Sequence, residues 1–238
     1  MGRGGGGPGR SSPAGLHRMT RPGPGSSASA TRAQTRVYGE RVDELVAQLR
    51  QEIGAPATPA GSAALVVLMG YPGVGKSHCA RLLAARLGAA HVASDQLRSR
   101  LFIAPTYANE ENATIFKCVD ALVEGLLRDR HRVIVDATNL VARYRAASVG
   151  AAERTNAPII FVRVVADDAA IRGRLARRRV ARSADDHSDA DERIYERMLD
   201  RPFEAPEQGY VELLNGDGLG AAIEQLAVAV ERRCASAI

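Results

Sequence analysis

Apolar positions along the chain recur in two periods, and the order of those periods predicts the architecture. Val37, Val42, Leu45, Val46, Leu49 and Ile53 recur at near-helical spacing among charged residues, which predicts an amphipathic helix of about four turns that ends at Gly54 and Pro56. A linker follows, and then short apolar runs alternate with longer helical stretches. Strands are predicted near Leu65 to Met69, His91 to Ala93, Val133 to Val135, Ile159 to Val164 and Tyr210 to Leu214. Helices are predicted over Lys76 to Leu87, Gln96 to Phe102, Glu110 to Arg130, Val141 to Thr155, Asp168 to Arg179, Asp189 to Leu199 and Leu219 to Arg233. Near-continuous apolar strands alternating with helices indicate an α/β protein whose parallel sheet is covered on both faces.

Composition divides this chain of 238 residues into a tail and a body. Residues 1 to 35 are Gly, Pro, Ser, Ala and Arg with almost nothing to bury, so a disordered tail is expected there. An organellar transit peptide shares that composition, but the tail lacks the amphipathic stripe of one, and a solvated tail is the expectation. Residues 36 to 54 form the helical extension, expected to pack on the body, and residues 62 to 235 form one globular domain.

Charge removes one class of partner. The whole chain carries +5, but residues 1 to 36 hold six arginines and no acid, which leaves about −1 for the rest. A near-neutral body with 4% aromatic residues offers little to track phosphates or stack bases, so nucleic acid is not the expected partner. The longest apolar run, Ala63 to Met69, is far shorter than the roughly 20 residues of a membrane span. Cys79, Cys118 and Cys234 stand far apart with no CxxC pair, which suits a reducing cytoplasm and indicates neither disulfide nor zinc.

The chemistry begins where the first strand of the body ends. Gly70-Tyr71-Pro72-Gly73-Val74-Gly75-Lys76-Ser77 fills the GxxxxGK[ST] pattern between an apolar strand and a helix, the context that a phosphate-binding loop requires. Glycines at 70, 73 and 75 let backbone N–H groups approach a phosphate chain, and the following helix adds its positive end. Lys76 is expected on the β and γ phosphates of ATP and Ser77 on Mg²⁺, with His78 beside them in the nucleotide site. Of 32 basic residues only Lys76 and Lys117 are lysines, which marks Lys76 as a place where a compact ammonium is needed.

Downstream acids separate a kinase from a nucleotide switch. Asp95 follows the second strand at the carboxyl end of the sheet, where it can take a proton from an attacking hydroxyl, cap the helix that follows, or do both; Ser94 is the other cap candidate. Asp136 ends the third strand, where a carboxylate supports the Mg²⁺ shell; Thr138 and Asn139 follow it as site residues or helix caps.

These segments resemble a known family. GYPGVGKS, SDQLR, VDATN, and an arginine-rich stretch followed by SDADERIYERM are similar to the P-loop kinases related to polynucleotide 5′-hydroxyl kinase, zeta-type toxins and chloramphenicol phosphotransferase, which carry an AAA-type ATP-binding kinase domain. The likeness runs from about Leu65 to Glu231. It implies a five-stranded parallel sheet in the order second, third, first, fourth, fifth, Asp95 as general base, Asp136 as organiser of the site, and Arg98 as a hold on the acceptor. It also implies a lid, expected over about 177 to 190. Arg172, Arg174, Arg177, Arg178, Arg179 and Arg182 supply its charge, with Arg178 and Arg179 the preferred catalytic pair. A small hydroxyl-bearing acceptor is expected, touched by Arg98, Asn139 and also Arg100 and Tyr107. Its rivals are a regulatory ATP-binding module without an acceptor and a kinase of polynucleotide 5′ ends. Histidines 17, 78, 91, 131 and 187 show no ligand spacing and are read as structural or solvent-facing.

Overall fold

Ala64–Met69 (β1) is six apolar residues long and no side chain in it is more than 1% exposed, so it needs neighbours on both edges and cover on both faces. In the computed structural model it has both. The structure describes residues 42–53, 55–59, 61–102, 109–180, 192–200 and 203–236. Among them, chain order runs α1 (Val42–Glu52), β1, α2 (Lys76–Leu87), β2 (Ala90–Ala93), α3 (Ser94–Leu101), α4 (Asn109–Arg128), β3 (Arg132–Asp136), α5 (Ala142–Thr155), β4 (Ile159–Val165), α6 (Asp168–Val180), α7 (Glu192–Leu199), β5 (Val211–Leu214) and α8 (Leu219–Ser236). The sheet is five-stranded in the order β2-β3-β1-β4-β5, and every pairing is parallel.

Side chains alternate across a strand, so β1 feeds two separate cores. Leu65, Val67 and Met69 join Leu97 of α3, Ile115, Leu122 and Leu126 of α4, and Ala151 of α5. Ala64, Val66 and Leu68 join Leu83 of α2, Ile171 and Leu175 of α6, and Ile223 and Val230 of α8. The result is three layers with a sheet buried on both faces.

The helical extension docks on the first of these cores. Leu49 is buried there, Val42, Leu45, Val46 and Ile53 pack against it, and ion pairs Arg50–Asp129 and Arg100–Glu52 tie α1 to the end of α4 and to α3. Val37 and Gly54 lie outside the described residues.

Two expectations about helix starts need correction. Helix α3 begins at Ser94, directly after β2, so the cap position falls on Ala93 and no side chain caps it; neither Ser94 nor Asp95 serves as the cap. Helix α5 has Val141 at its cap position, and the N–H of Ala142 is taken by Glu204 Oε2 at 2.6 Å, so neither Thr138 nor Asn139 caps it. Among the described residues no helix is long and apolar enough to cross a membrane.

Candidate active site

The loop between β1 and α2 is built around close approaches that exclude a side chain. Gly70 donates its N–H to Thr138 O at 3.0 Å, and a Cβ on it would lie 2.6 Å from the Val164 carbonyl oxygen. Gly75 holds φ 94°, and a Cβ there would lie 2.0 Å from Asn215 Nδ2. Asn215 follows β5 and donates its amide to Val74 O at 2.7 Å. Arg174 of α6 reaches the same segment, donating from Nη1 to Gly73 O at 3.3 Å and Val74 O at 3.2 Å. The carbonyls at 73 and 74 are therefore tied back, and the N–H groups of Gly70 and Val74 bond within the fold to Thr138 O and Tyr71 O, so the N-terminus of α2 is the part of the loop suited to a phosphate.

Lys76 opens α2 and donates from Nζ to Tyr71 O at 3.0 Å. Desolvation pushes its pKa down, the carboxylates of Asp136 and Asp95 oppose that shift, and the Arg178 guanidinium adds to it. Asp136 is 5% exposed at the end of β3, level with Leu68 of β1 and Ala93 of β2. Desolvation alone would raise its pKa, but the His91 hydrogen bond, the Lys76 ammonium and the Ser77 hydroxyl together hold it below the ordinary carboxylate value. His91 Nε2 lies 3.2 Å from Asp136 Oδ2. The Ser77 hydroxyl and the Asp136 carboxylate form an oxygen pair at the mouth of the loop, the donor chemistry that Mg²⁺ prefers. Among the described residues no group of three or more His, Cys, Asp or Glu side chains is arranged to hold a metal by itself.

A cavity of about 1340 Å³ gathers these groups: Gly73, Gly75, Lys76, Ser77 and exposed His78 line it, and so do Asp95, Asp136 and Arg178. Asp95 stands in the first turn of α3, half-buried. Arg98 also lines the cavity, 5% exposed; its guanidinium is ion-paired with the fully buried Glu111 and donates to Asn112 Oδ1 at 2.8 Å. Asn139 lines it with φ 47° and an amide engaged by Leu68 O at 2.9 Å, so it ties the loop after β3 to β1.

The arginines of α6 divide. Arg177 and Arg178 line the cavity, Arg174 braces the loop, and Arg172 pairs with Asp168, Glu192 and Glu196, binding α6 to α7. Arg172 is thus a structural tie rather than part of a mobile charge cluster. Arg100 does not line the cavity, because its partner is Glu52 of α1. The Arg179 side chain, Tyr107, Arg182 and residues 181 to 191 lie outside the described residues, as do His17 and His187. His91, expected to be structural or solvent-facing, lines the cavity and lies within hydrogen-bond reach of Asp136. The alternation of β2 gave a signal for it, since His91 is the polar position of a four-residue strand next to β3.

Comparison with known proteins agrees with this architecture. The model of the AAA domain family matches residues 65–206. Kti12 of Chaetomium thermophilum, solved in complex with ADP-AlF3, superposes with a TM-score of 0.58 at 21% identity, over 71% of this chain and 98% of that one. A putative kinase from Chloroflexus aurantiacus gives 0.58 at 16% identity, over 72% and 98%. The APS kinase CysC of Mycobacterium tuberculosis, in complex with AMPPNP and APS, gives 0.54 at 20% identity, over 74% and 99%. At these identities the likenesses establish the fold. No protein of curated function has a significant sequence match to the chain. With the family model covering more than half of its length and a phosphate loop on the matching fold, the chain belongs to the AAA domain family and is a P-loop kinase-like member of it.

Proposed function

We propose that this chain is an ATP-dependent kinase that transfers the γ-phosphoryl group to a hydroxyl of a small molecule. The observation that carries the reading is that Asp95 and Lys76 line one cavity and that the lysine ammonium feels the Asp95 charge. A switch that only binds nucleotide uses a carboxylate for its metal, the place proposed for Asp136, and does not require a second one as an acceptor base. Nucleotide complexes of two proteins with this fold, one with ADP-AlF3 and one with AMPPNP, support a triphosphate as the donor.

In this reading the loop amides and Lys76 hold the β and γ phosphates. Ser77 and Asp136 hold Mg²⁺, which supplies charge neutralisation on the phosphate oxygens. Asp95 accepts the proton of the acceptor hydroxyl as its oxygen attacks the γ-phosphorus and the bond to the β,γ-bridging oxygen breaks, with ADP leaving. Arg178, with Arg177 and Arg179 beside it on α6, meets the charge that spreads over the equatorial oxygens. The three free, buried cysteines suit a reducing compartment, and the cytoplasm is the proposed location.

Incubation with γ-labelled ATP and a panel of hydroxyl compounds tests the reading. Label is expected in an acceptor, and Asp95→Asn is expected to lower transfer at least about a hundredfold while leaving nucleotide Kd within about twofold. Label released only as inorganic phosphate, whatever the acceptor, would replace the kinase with an ATP-hydrolysing module. Salt-sensitive transfer to oligonucleotide 5′ ends would replace the small acceptor with a strand.

A further inference from the structure

The wall of the cavity that leads away from Asp95 is built from two helices joined through Arg98, which pairs with Glu111 and Asn112 of α4. Asp95 and Arg98 stand three residues apart on α3, and Asn112 and Phe116 four apart on α4, so each pair shares one helix face. Arg98 Nη2 bridges the helices by donating to Asn112 Oδ1 at 2.8 Å. Phe116 then stacks on Tyr144 of α5, with ring centroids 5.6 Å apart and planes inclined by 17°. All five side chains line the cavity, and Ile53 after α1 lines it with them. Each helical step spans roughly 5–6 Å, so the rings lie on the order of 10–15 Å along this wall from the carboxylate.

The ring pair is not part of either hydrophobic core, although both rings are half-buried. Arg143 packs over Tyr144 at 4.8 Å and donates to its hydroxyl at 3.0 Å, which holds the pair in place. The two rings therefore stack on each other and also line the cavity. Between them and Asp95, the Arg98 guanidinium is matched by the buried Glu111 carboxylate, so this stretch presents hydrogen-bonding groups with little net charge.

Resting on the kinase reading above, we infer that the acceptor is a hydroxyl compound carrying a planar aromatic or heteroaromatic ring, seated against Phe116 and Tyr144 with its hydroxyl directed to Asp95. A flat ring replaces water on apolar rings without losing hydrogen bonds and gains offset stacking. A polyol in the same place would leave hydroxyls unpaired against Phe116, Tyr144 and Ile53, each weakening its binding by about tenfold or more.

The test compares adenosine, uridine and benzyl alcohol with glycerol, gluconate and myo-inositol as acceptors of label from γ-labelled ATP. Transfer is expected to at least one ring compound with kcat/KM at least about a hundredfold above any of the polyols. Phe116→Leu is expected to raise KM for that acceptor about tenfold and leave nucleotide Kd unchanged, while Phe116→Tyr keeps the wild-type KM. Equal transfer to polyols, or an unchanged acceptor KM in Phe116→Leu, overturns the ring-binding assignment and leaves the kinase standing. If nucleotide binds and no compound of either set is labelled, the kinase reading fails and the assignment falls with it. Should Phe116→Leu not fold, the comparison of ring compounds with polyols in the wild-type protein decides.

Discussion

His91 and Asp136 join two neighbouring strands at the end of the sheet where the phosphate loop opens, with Nε2 and Oδ2 3.2 Å apart. Asp136 is almost fully buried and both the Ser77 hydroxyl and the imidazole hydrogen-bond its carboxylate, so the imidazole helps to fix its orientation. In the proposed kinase Asp136 supports Mg²⁺, and groups that orient a metal-binding carboxylate typically matter by about 10- to 100-fold. His91→Ala is expected to raise the Mg²⁺ concentration for half-maximal turnover about tenfold, and His91→Gln to recover part of it. A titration of activity against Mg²⁺ checks this, and an unchanged midpoint would assign His91 to packing alone.

Gly75 carries a second prediction, because two separate obstacles meet there. Its φ of 94° disfavours any side chain, and Asn215 Nδ2 occupies the place of a Cβ. Gly75→Ala is expected to destabilise the fold by about 1–3 kcal/mol and to weaken nucleotide binding. Adding Asn215→Ala removes the collision but not the backbone strain, and it also removes the bond to Val74 O, so the double variant is expected to recover only part of the stability. Urea midpoints of the three proteins separate the two contributions.

Asp120 supplies a pH dependence away from the site. Half-buried on α4, its carboxyl is pushed up to about 6 by desolvation, with Arg154 opposing. Its unfolded value is near the ordinary 3.9. Below about pH 4 the group is neutral in both states, and as pH rises from about 4 through 6 the unfolded chain loses its proton first. Its stabilising contribution is therefore present in acid and lost by neutrality. Asp120→Asn is expected to be more stable than the parent at pH 7 by on the order of 1 kcal/mol, a value reduced for partial solvent access, and equal to it near pH 4. Denaturant unfolding at the two pH values checks the sign.

Chemistry held in one contiguous stretch was readable before any coordinates. Gly70 to Ser77 holds its whole motif in eight neighbours, and Asp136 stands out as a carboxylate closing an apolar strand; the structure brings Lys76, Ser77 and Asp136 to one cavity. The order of the strands came through family resemblance, since residue patterns alone do not order a parallel sheet. What stayed hidden depends on meetings across the fold. His91 finds its partner 45 residues away, Arg174 reaches back about a hundred residues to the loop, and Asn215 reaches back 141. Arg98 and Arg100 looked alike two residues apart on one helix, yet α4 claims the first and α1 the second. The helix starts differ from the sequence reading for a local reason: β2 runs into α3 with no intervening loop, so Ser94 and Asp95 fall one and two residues past the cap position at Ala93, whereas Thr138 and Asn139 fall three and two residues short of Val141.

Arg174 grips the carbonyls of Gly73 and Val74 from the same helix that presents Arg177 and Arg178 to the cavity. In the proposed kinase the loop that would carry the phosphates and the helix that would face them are in this way joined through the Arg174 guanidinium. A change of shape in the loop would then be felt at α6, and energetic coupling of this kind runs equally in both directions. A molecule that seizes the outer end of α6 would alter how tightly nucleotide is held, and nucleotide would alter that molecule's hold by the same factor.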